Sequence, residues 1–320
     1  MAFIQANIYS NVLEMEVMID VILPQSTKKK IGTQSQSTGT DLPVLYLLHG
    51  MNGNHSVWQR RTSIERYAAE YQLAVIMPST DLGWYTDTTY EMKYWTFIAE
   101  ELPVLYLLHG MGGNHSVWER RTSIERYVSD YQMAVIMPST DLAWYTDTTY
   151  DMKYWTFVAE ELPQICRELF PQLSSDREKT FAAGLSMGGY GAVKLGLRKP
   201  ESFAAVASLS GALAIAESMD SLLKIRNTSY WEGIFGPLDQ FQGSENDLIH
   251  LIDTIDPQKA PRFYISCGTE DQLFPASEYA VAKMQERDLA VTFESGSGDH
   301  DWQFWDQWIQ RVLNWLVEGK

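Results

Sequence analysis

Residues 42–101 of this chain, from "LPVLYLLHGMNGNHSVW" to "KYWTFIAEE", are followed at once by 102–161, from "LPVLYLLHGMGGNHSVW" to "KYWTFVAEE". The period is 60 residues and nine positions differ, among them Asn52/Gly112, Gly83/Ala143 and Ile98/Val158. Self-similarity at a fixed period is the usual signature of a solenoid or propeller, which needs three or more stacked units. Two copies between unrelated flanks exclude that architecture. A tandem segmental duplication remains, with the tripeptide at Asp41, Glu101 and Glu161 ("DLP" or "ELP") as its joint.

Each copy reads as strand, loop, helix, strand and the start of a second helix. "VLYLL" and "LAVIMP" are short, unbroken apolar runs, as expected of strands buried on both faces. Between them "RRTSIERYAAEYQ" has helical spacing, and "MKYWTFVAEELPQICRELF" opens the next helix. After the repeat come the strand "TFAA", a helix from Met187 to Arg198, and the strands "FAAVASLS", "RFYISC" and "AVTFES". The last helix carries the stripe Trp305, Trp308, Ile309, Val312 and Leu316. Upstream, Leu13, Met15, Val17, Ile19 and Val21 alternate strictly, which predicts a half-buried antiparallel strand at a sheet edge. Alternating strands and helices predict an α/β fold, a mostly parallel central sheet with helices on both faces. Residues 1–320 are expected to form one such domain, with the repeat as an extra strand-helix-strand segment.

A formal net charge of −16 argues against nucleic acid and against a basic membrane-surface patch, since both partners are polyanionic. No apolar stretch approaches the roughly 20 residues that span a bilayer. "MAFIQANIYS" lacks the basic head and apolar body of a signal peptide, so the expected compartment is the cytoplasm. Cys166 and Cys267 lie in apolar contexts without metal-ligand spacing and read as reduced core thiols.

The chemistry is concentrated in "GLSMGG", residues 184–189, directly after "TFAA". G-x-S-x-G at a strand end is the pattern of a nucleophile elbow, a tight strand-to-helix turn that lifts the Ser186 hydroxyl clear of the sheet. In folds that use it the partners follow in the order Ser, acid, His. Two of the six histidines lie downstream of Ser186. His250 sits in the helical context "ENDLIHLIDTI", whereas His300 sits in "GSGDHDWQFW", a Gly-rich loop between a strand and the last helix. Glu270 and Asp271 of "CGTEDQLFP" both qualify as the acid by position. Asp299-His300-Asp301 is a poor metal site, because adjacent residues seldom chelate one ion well. The oxyanion donors expected for such a serine are the backbone N–H of the following residue, Met187, and one from the loop after the first buried strand. That loop is "HGM", present twice, which offers Met51 or Met111. His49 and His109 within it read as organisers of the turn.

"LLHGMNGNHSVW", "GLSMGGYGA", "CGTEDQLF" and "GDHDWQFW" together resemble the esterase D group of α/β-hydrolases, nearest to the bacterial tributyrin esterases. S-formylglutathione hydrolases and mycolyltransferases are more distant. The resemblance covers nearly the whole chain once one repeat copy is removed. It implies the α/β-hydrolase fold, Ser186 as nucleophile, Asp271 rather than Glu270 as the acid, His300 as the base, and oxyanion donors on Met187 and the Met of HGM. It further implies hydrolysis of short-chain acyl esters without a cofactor or metal. The aromatic segments "GWYTDTTY", "AWYTDTTY" and "SYWEGIFG" would wall the small acyl pocket. The rival reading is a thioesterase or S-formylglutathione hydrolase with the same site. Another is a silent hydrolase fold serving assembly because the repeat spoiled its oxyanion loop.

One sheet has one slot for the HGM strand. Copy two runs unbroken through "ELPQICRELF" into the elbow strand, so it is expected to fill that slot and to make Met111 the donor. Copy one then becomes an excursion whose loop closure costs about 1–1.5 kcal/mol. Exposing its five large apolar side chains would forfeit roughly 8–15 kcal/mol. They are therefore expected to be buried, against another subunit of a homo-oligomer.

Overall fold

The structure, a computed structural model, describes residues 2–10, 13, 15–23, 43–51, 53–80, 102–170 and 172–318. Its contacts divide the chain into two compact units, Met1–Glu101 with Gln164–Leu173, and Leu102–Pro163 with Ser174–Lys320.

Four strands of the smaller unit are β1 (Ala2–Ser10), β2 (Met15–Leu23), β3 (Val44–Tyr46) and β4 (Ala74–Pro78), in the order β1-β2-β4-β3. The β1–β2 and β2–β4 pairs are antiparallel and β3–β4 is parallel. Alternation decides which side chain goes to which face. Ile19, Val21, Leu23, Ala74 and Ile76 pack on one side with Tyr46, Ile165 and Phe170. Ile22, Val75 and Met77 pack on the other with Ala68 of the helix Ile64–Tyr71.

The larger unit holds β5 (Val104–Leu108), β6 (Ala134–Ile136), β7 (Thr180–Leu185), β8 (Ala205–Leu209), β9 (Arg262–Gly268) and β10 (Val291–Gly296). All are parallel, in the order β10-β9-β8-β7-β5-β6. On one face Leu105, Leu107, Phe181, Ala183, Ala205 and Ala207 meet the stripe Trp305, Trp308, Ile309, Val312 and Leu316 of the C-terminal helix, Trp302–Glu318. On the other lies the helix Met187–Arg198, packed on β5, β7 and β8. Two-sided burial explains why β5 and β7 read as unbroken apolar runs.

Each repeat copy thus seats its strands in a different sheet. Copy two supplies β5 and β6 beside β7, while copy one supplies β3 and β4 beside the β1–β2 hairpin. Where one domain over residues 1–320 was expected, the contacts give two compact units, each with a sheet of its own. β4 is buried within its own unit by β2 and the helix Ile64–Tyr71, but the "VLYLL" run of copy one is not buried as expected: Val44, Leu45 and Leu48 are 37–38% exposed. β2 is an inner strand buried on both faces, since β1, which the alternation did not reveal, takes the edge. The predicted helix "RRTSIERYAAEYQ" is broken into Val57–Arg61 and Ile64–Tyr71.

The same sequence has two environments. Ala74, Val75 and Ile76 are 0–2% exposed, whereas Ala134, Val135 and Ile136 on the outer strand β6 are half-buried. Ile76→Ala should therefore lower stability by about 2–5 kcal/mol, and Ile136→Ala by clearly less. Denaturant unfolding of both variants followed by circular dichroism checks this, and equal losses would contradict the difference in packing.

Candidate active site

Ser186 stands where β7 ends and the helix Met187–Arg198 begins, with φ 52° and ψ −117°. Such a backbone is disfavoured for any residue with a side chain and persists only where the surroundings impose it. Here the Ser186 amide donates to Leu209 O at 2.9 Å, and its carbonyl accepts from Tyr190 N at 3.1 Å and Ala212 N at 3.3 Å. The turn is also very tight. A Cβ on Gly184 would lie 2.3 Å from Gly188 O, and one on Gly188 would lie 2.4 Å from Leu108 O at the end of β5. Met187 opens the helix, where a backbone N–H has no intrahelical acceptor.

His300 reaches the serine from the loop between β10 and the C-terminal helix. Its Nε2 lies 3.0 Å from Ser186 Oγ and its Nδ1 lies 2.8 Å from Asp271 Oδ2. The ring stands edge-on to Trp305, with centroids 5.0 Å apart. Asp271 follows β9, and its side chain is fully buried. Burial pushes its carboxyl upward, but hydrogen bonds from His300 and the Leu273 amide (2.8 Å) outweigh this and hold it below the ordinary 3.8.

Glu270 does different work. Its Oε2 accepts from Gly298 N at 2.5 Å, which fastens the loop that carries His300. Asp299 and Asp301 accept from the amides of His300 and Phe304. Among the described residues no three His, Cys, Asp or Glu side chains converge as metal ligands. His250 lies on the helix Leu248–Thr254, whose first turn is capped by Asp247. Burial pushes the Cys166 and Cys267 thiols up to about 11 and about 12.

The HGM loop beside the elbow is that of copy two. A Cβ on Gly110 would lie 2.4 Å from Leu185 Cδ1 and 3.4 Å from Ser186 Cβ, whereas one on Gly50 would meet nothing within 4 Å. His109 is buried, donates from Nδ1 to Gly110 O at 2.8 Å and accepts at Nε2 from Thr140 N at 3.0 Å. Both ring nitrogens are therefore occupied in holding the turn, and burial lowers its pKa. His49 makes the corresponding contacts, with Gly50 O and Thr80 N.

Two of the aromatic segments meet near this loop. Trp144 Nε1 donates to Tyr230 Oη at 3.2 Å, and Tyr230 Oη approaches Met111 Sδ at 3.8 Å. Trp144 also packs against Tyr190 and Trp231. The third, "GWYTDTTY", lies outside the described residues. Sequence reasoning passed over Lys194 and held Tyr145 only as part of the wall segment "AWYTDTTY"; together the two fasten the segment after β6. A lysine amid the small and apolar residues of "GGYGAVKLGL" was the signal.

A serine, an imidazole and a buried carboxylate in hydrogen-bonded series are equipped for nucleophilic acyl transfer. Residues 93–316 match the family described as "Putative esterase". The chain belongs to this esterase family. It is 33% identical over 225 residues to the acetyl esterase of Caldicellulosiruptor saccharolyticus, which covers 68% of this chain and 84% of that protein. Its fold is similar to that of FphF, a fluorophosphonate-binding serine hydrolase of Staphylococcus aureus (TM-score 0.64, 27% identity, 99% of this chain and 98% of that one). The S-formylglutathione hydrolase FrmB of the same organism gives a TM-score of 0.62 at 27% identity, again over 99% and 98%. This esterase is accordingly a carboxylic ester hydrolase of the serine hydrolase kind with an α/β-hydrolase fold. No described helix is long and apolar enough to cross a membrane.

The depressed Asp271 pKa has a definite sign. A carboxylate held below its unfolded value adds stability that is complete above that value and lost as the pH falls through the folded one. The stability gap between the esterase and its Asp271→Asn variant should therefore be constant above about pH 5 and change as the pH falls below 3.8. Urea unfolding across that range measures it, and a gap independent of pH would contradict the assignment.

Proposed function

We propose that this esterase hydrolyses short-chain acyl esters through an acyl-enzyme on Ser186, with His300 as general base and acid and Asp271 as its partner. The observation that carries the reading is the unbroken hydrogen-bonded series from Ser186 Oγ through His300 to Asp271 Oδ2, at 3.0 and 2.8 Å. His300 Nε2 takes the hydroxyl proton as Ser186 Oγ bonds to the acyl carbon. The tetrahedral oxyanion receives N–H bonds from Met187 and Met111. Collapse breaks the bond to the alcohol, which leaves with the proton returned by His300. Water then repeats the sequence and frees the acid. Asp271 keeps the Nδ1 proton in place and stabilises the imidazolium.

The acyl group would lie against Trp144 and Tyr230, next to Met111. Rings packed this closely favour a small group, so acetyl to butyryl esters are expected over octanoyl and longer. The likeness to an S-formylglutathione hydrolase motivates a second reading, in which the same serine attacks a thioester. A kcat/KM series over acyl length, run beside S-formylglutathione, decides between them. Values rising steadily with chain length would reject the short-acyl reading. The p-nitrophenyl acetate burst should be stoichiometric in the wild type and absent in Ser186→Ala, as an acyl-enzyme on that serine requires. A wild type with neither a burst nor turnover would be a silent fold.

Gly110→Val should displace the Met111 loop and lower kcat by about 10²–10³, the loss for one missing oxyanion donor. Gly50→Val should leave kcat within a few-fold, since its added atoms meet open space. Steady-state kinetics of the two variants check this, and the reverse outcome would assign the donor to Met51.

A further inference from the structure

Lys194 is fully buried in the middle of the helix that starts at Ser186. Its ammonium donates to Tyr145 O at 3.0 Å and to Thr146 Oγ1 at 2.9 Å, and it lies 5.1 Å from the centroid of the Trp155 ring. These partners are neutral oxygens and a ring face. A cation taken out of water into such a place is expensive to keep, and an apolar side chain of equal length would fill the volume more cheaply. Burial, reinforced by nearby Arg198, lowers the Lys194 pKa well below the ordinary lysine value.

What the ammonium holds is a strained stretch of backbone. Asp141, Trp144 and Tyr145 all have positive φ, at 48°, 53° and 51°. Three non-glycine residues in the left-handed region within five positions persist only under external restraint. Lys194 restrains the Tyr145 carbonyl, and the hydroxyl of the same tyrosine donates to His109 O at 2.8 Å. At its other end the segment donates from Thr140 N to His109 Nε2. His109 O belongs to the peptide that leads into Gly110 and Met111. A continuous series of contacts therefore runs from the elbow helix through Lys194 and Tyr145 to the loop beside Ser186.

We propose that Lys194 is a positioning residue for the oxyanion loop: through Tyr145 it fixes the His109 carbonyl and so aims the Met111 N–H at the acyl oxygen. The inference rests on the reading of Ser186 and Met111 given above. It differs from a packing role in where the damage falls. Misdirecting a donor that acts on the oxyanion lowers kcat and leaves ground-state binding alone.

The experiment compares Lys194→Met, Tyr145→Phe and the double variant with the wild type on p-nitrophenyl acetate, with Tm measured for each. Both single variants should lower kcat by at least about tenfold and at most by the roughly 10²–10³-fold of complete loss of a donor, while KM changes by less than about threefold. The double variant should be no worse than the poorer single one, because both act on one carbonyl. A lowered Tm with full kcat in Lys194→Met would reduce the lysine to packing, and additive losses would separate it from Tyr145. Either result overturns the proposal. If Lys194→Met fails to fold, Tyr145→Phe decides alone, since it removes one hydroxyl, and full kcat there also overturns it. A wild type whose turnover does not depend on Ser186 would instead sink the functional reading on which the inference stands.

Discussion

The site depends on one backbone-to-backbone approach, that of the first turn of the elbow helix to the end of β5. Gly188 leaves no room for a Cβ beside Leu108 O, and Gly184 leaves none beside Gly188 O. Because the two chains touch there, the HGM loop that continues β5 runs directly past Ser186. The same contact holds the serine at positive φ, with its hydroxyl turned from the sheet toward His300. A shift of β5 would move the nucleophile and the loop together.

That contact also bears on which repeat copy can serve the elbow. The strand beside β7 must carry HGM at its end and lead, through β6 and the following helix, back to β7. Copy two does this without interruption, and the family match from residue 93 onward takes in all of it. Copy one keeps the same strand chemistry but no β7. Its apolar strands instead close a sheet with the β1–β2 hairpin. β4 is covered on its second edge by β2, while the matching edge of β6 has no strand partner among the described residues. The repeat has thus divided strand pairings between two sheets, and identical residues differ in burial for that reason alone.

Much of this was legible in the chain. The unbroken apolar runs "TFAA" and the copy-two "VLYLL" announced two-sided burial, although the same run in copy one leaves Val44, Leu45 and Leu48 exposed, and the G-x-S-x-G spacing announced the elbow. Chain order paired Ser186 with His300, and their side chains lie 3.0 Å apart. The acid was ambiguous by position, since Glu270 and Asp271 are neighbours on one loop and only side-chain direction separates them. The Phe3, Gln5 and Asn7 stretch of β1 carries too mixed a pattern to declare a strand, and β2 could not be recognised as an inner strand without it. Lys194 and the fastening role of Tyr145 escaped notice because their significance lies in contacts with backbone carbonyls, which no side-chain pattern encodes.

Two of the buried ionisable groups near the elbow, Asp271 and Lys194, illustrate a common logic. Asp271, after β9, is held below its usual pKa by hydrogen-bond donors that include His300, the group it orients. Lys194 donates to two neutral oxygens and is pushed the other way by burial. A carboxylate suits the first place because a proton must be held on one ring nitrogen. An amine suits the second because it has several donors and the acceptors are neutral oxygens on a strained segment. Each group constrains a loop that leaves a different strand, β10 for His300 and β5 for Met111. In the proposed reaction the base and the oxyanion donor must therefore agree in position without touching, and the elbow helix and sheet between them carry that agreement.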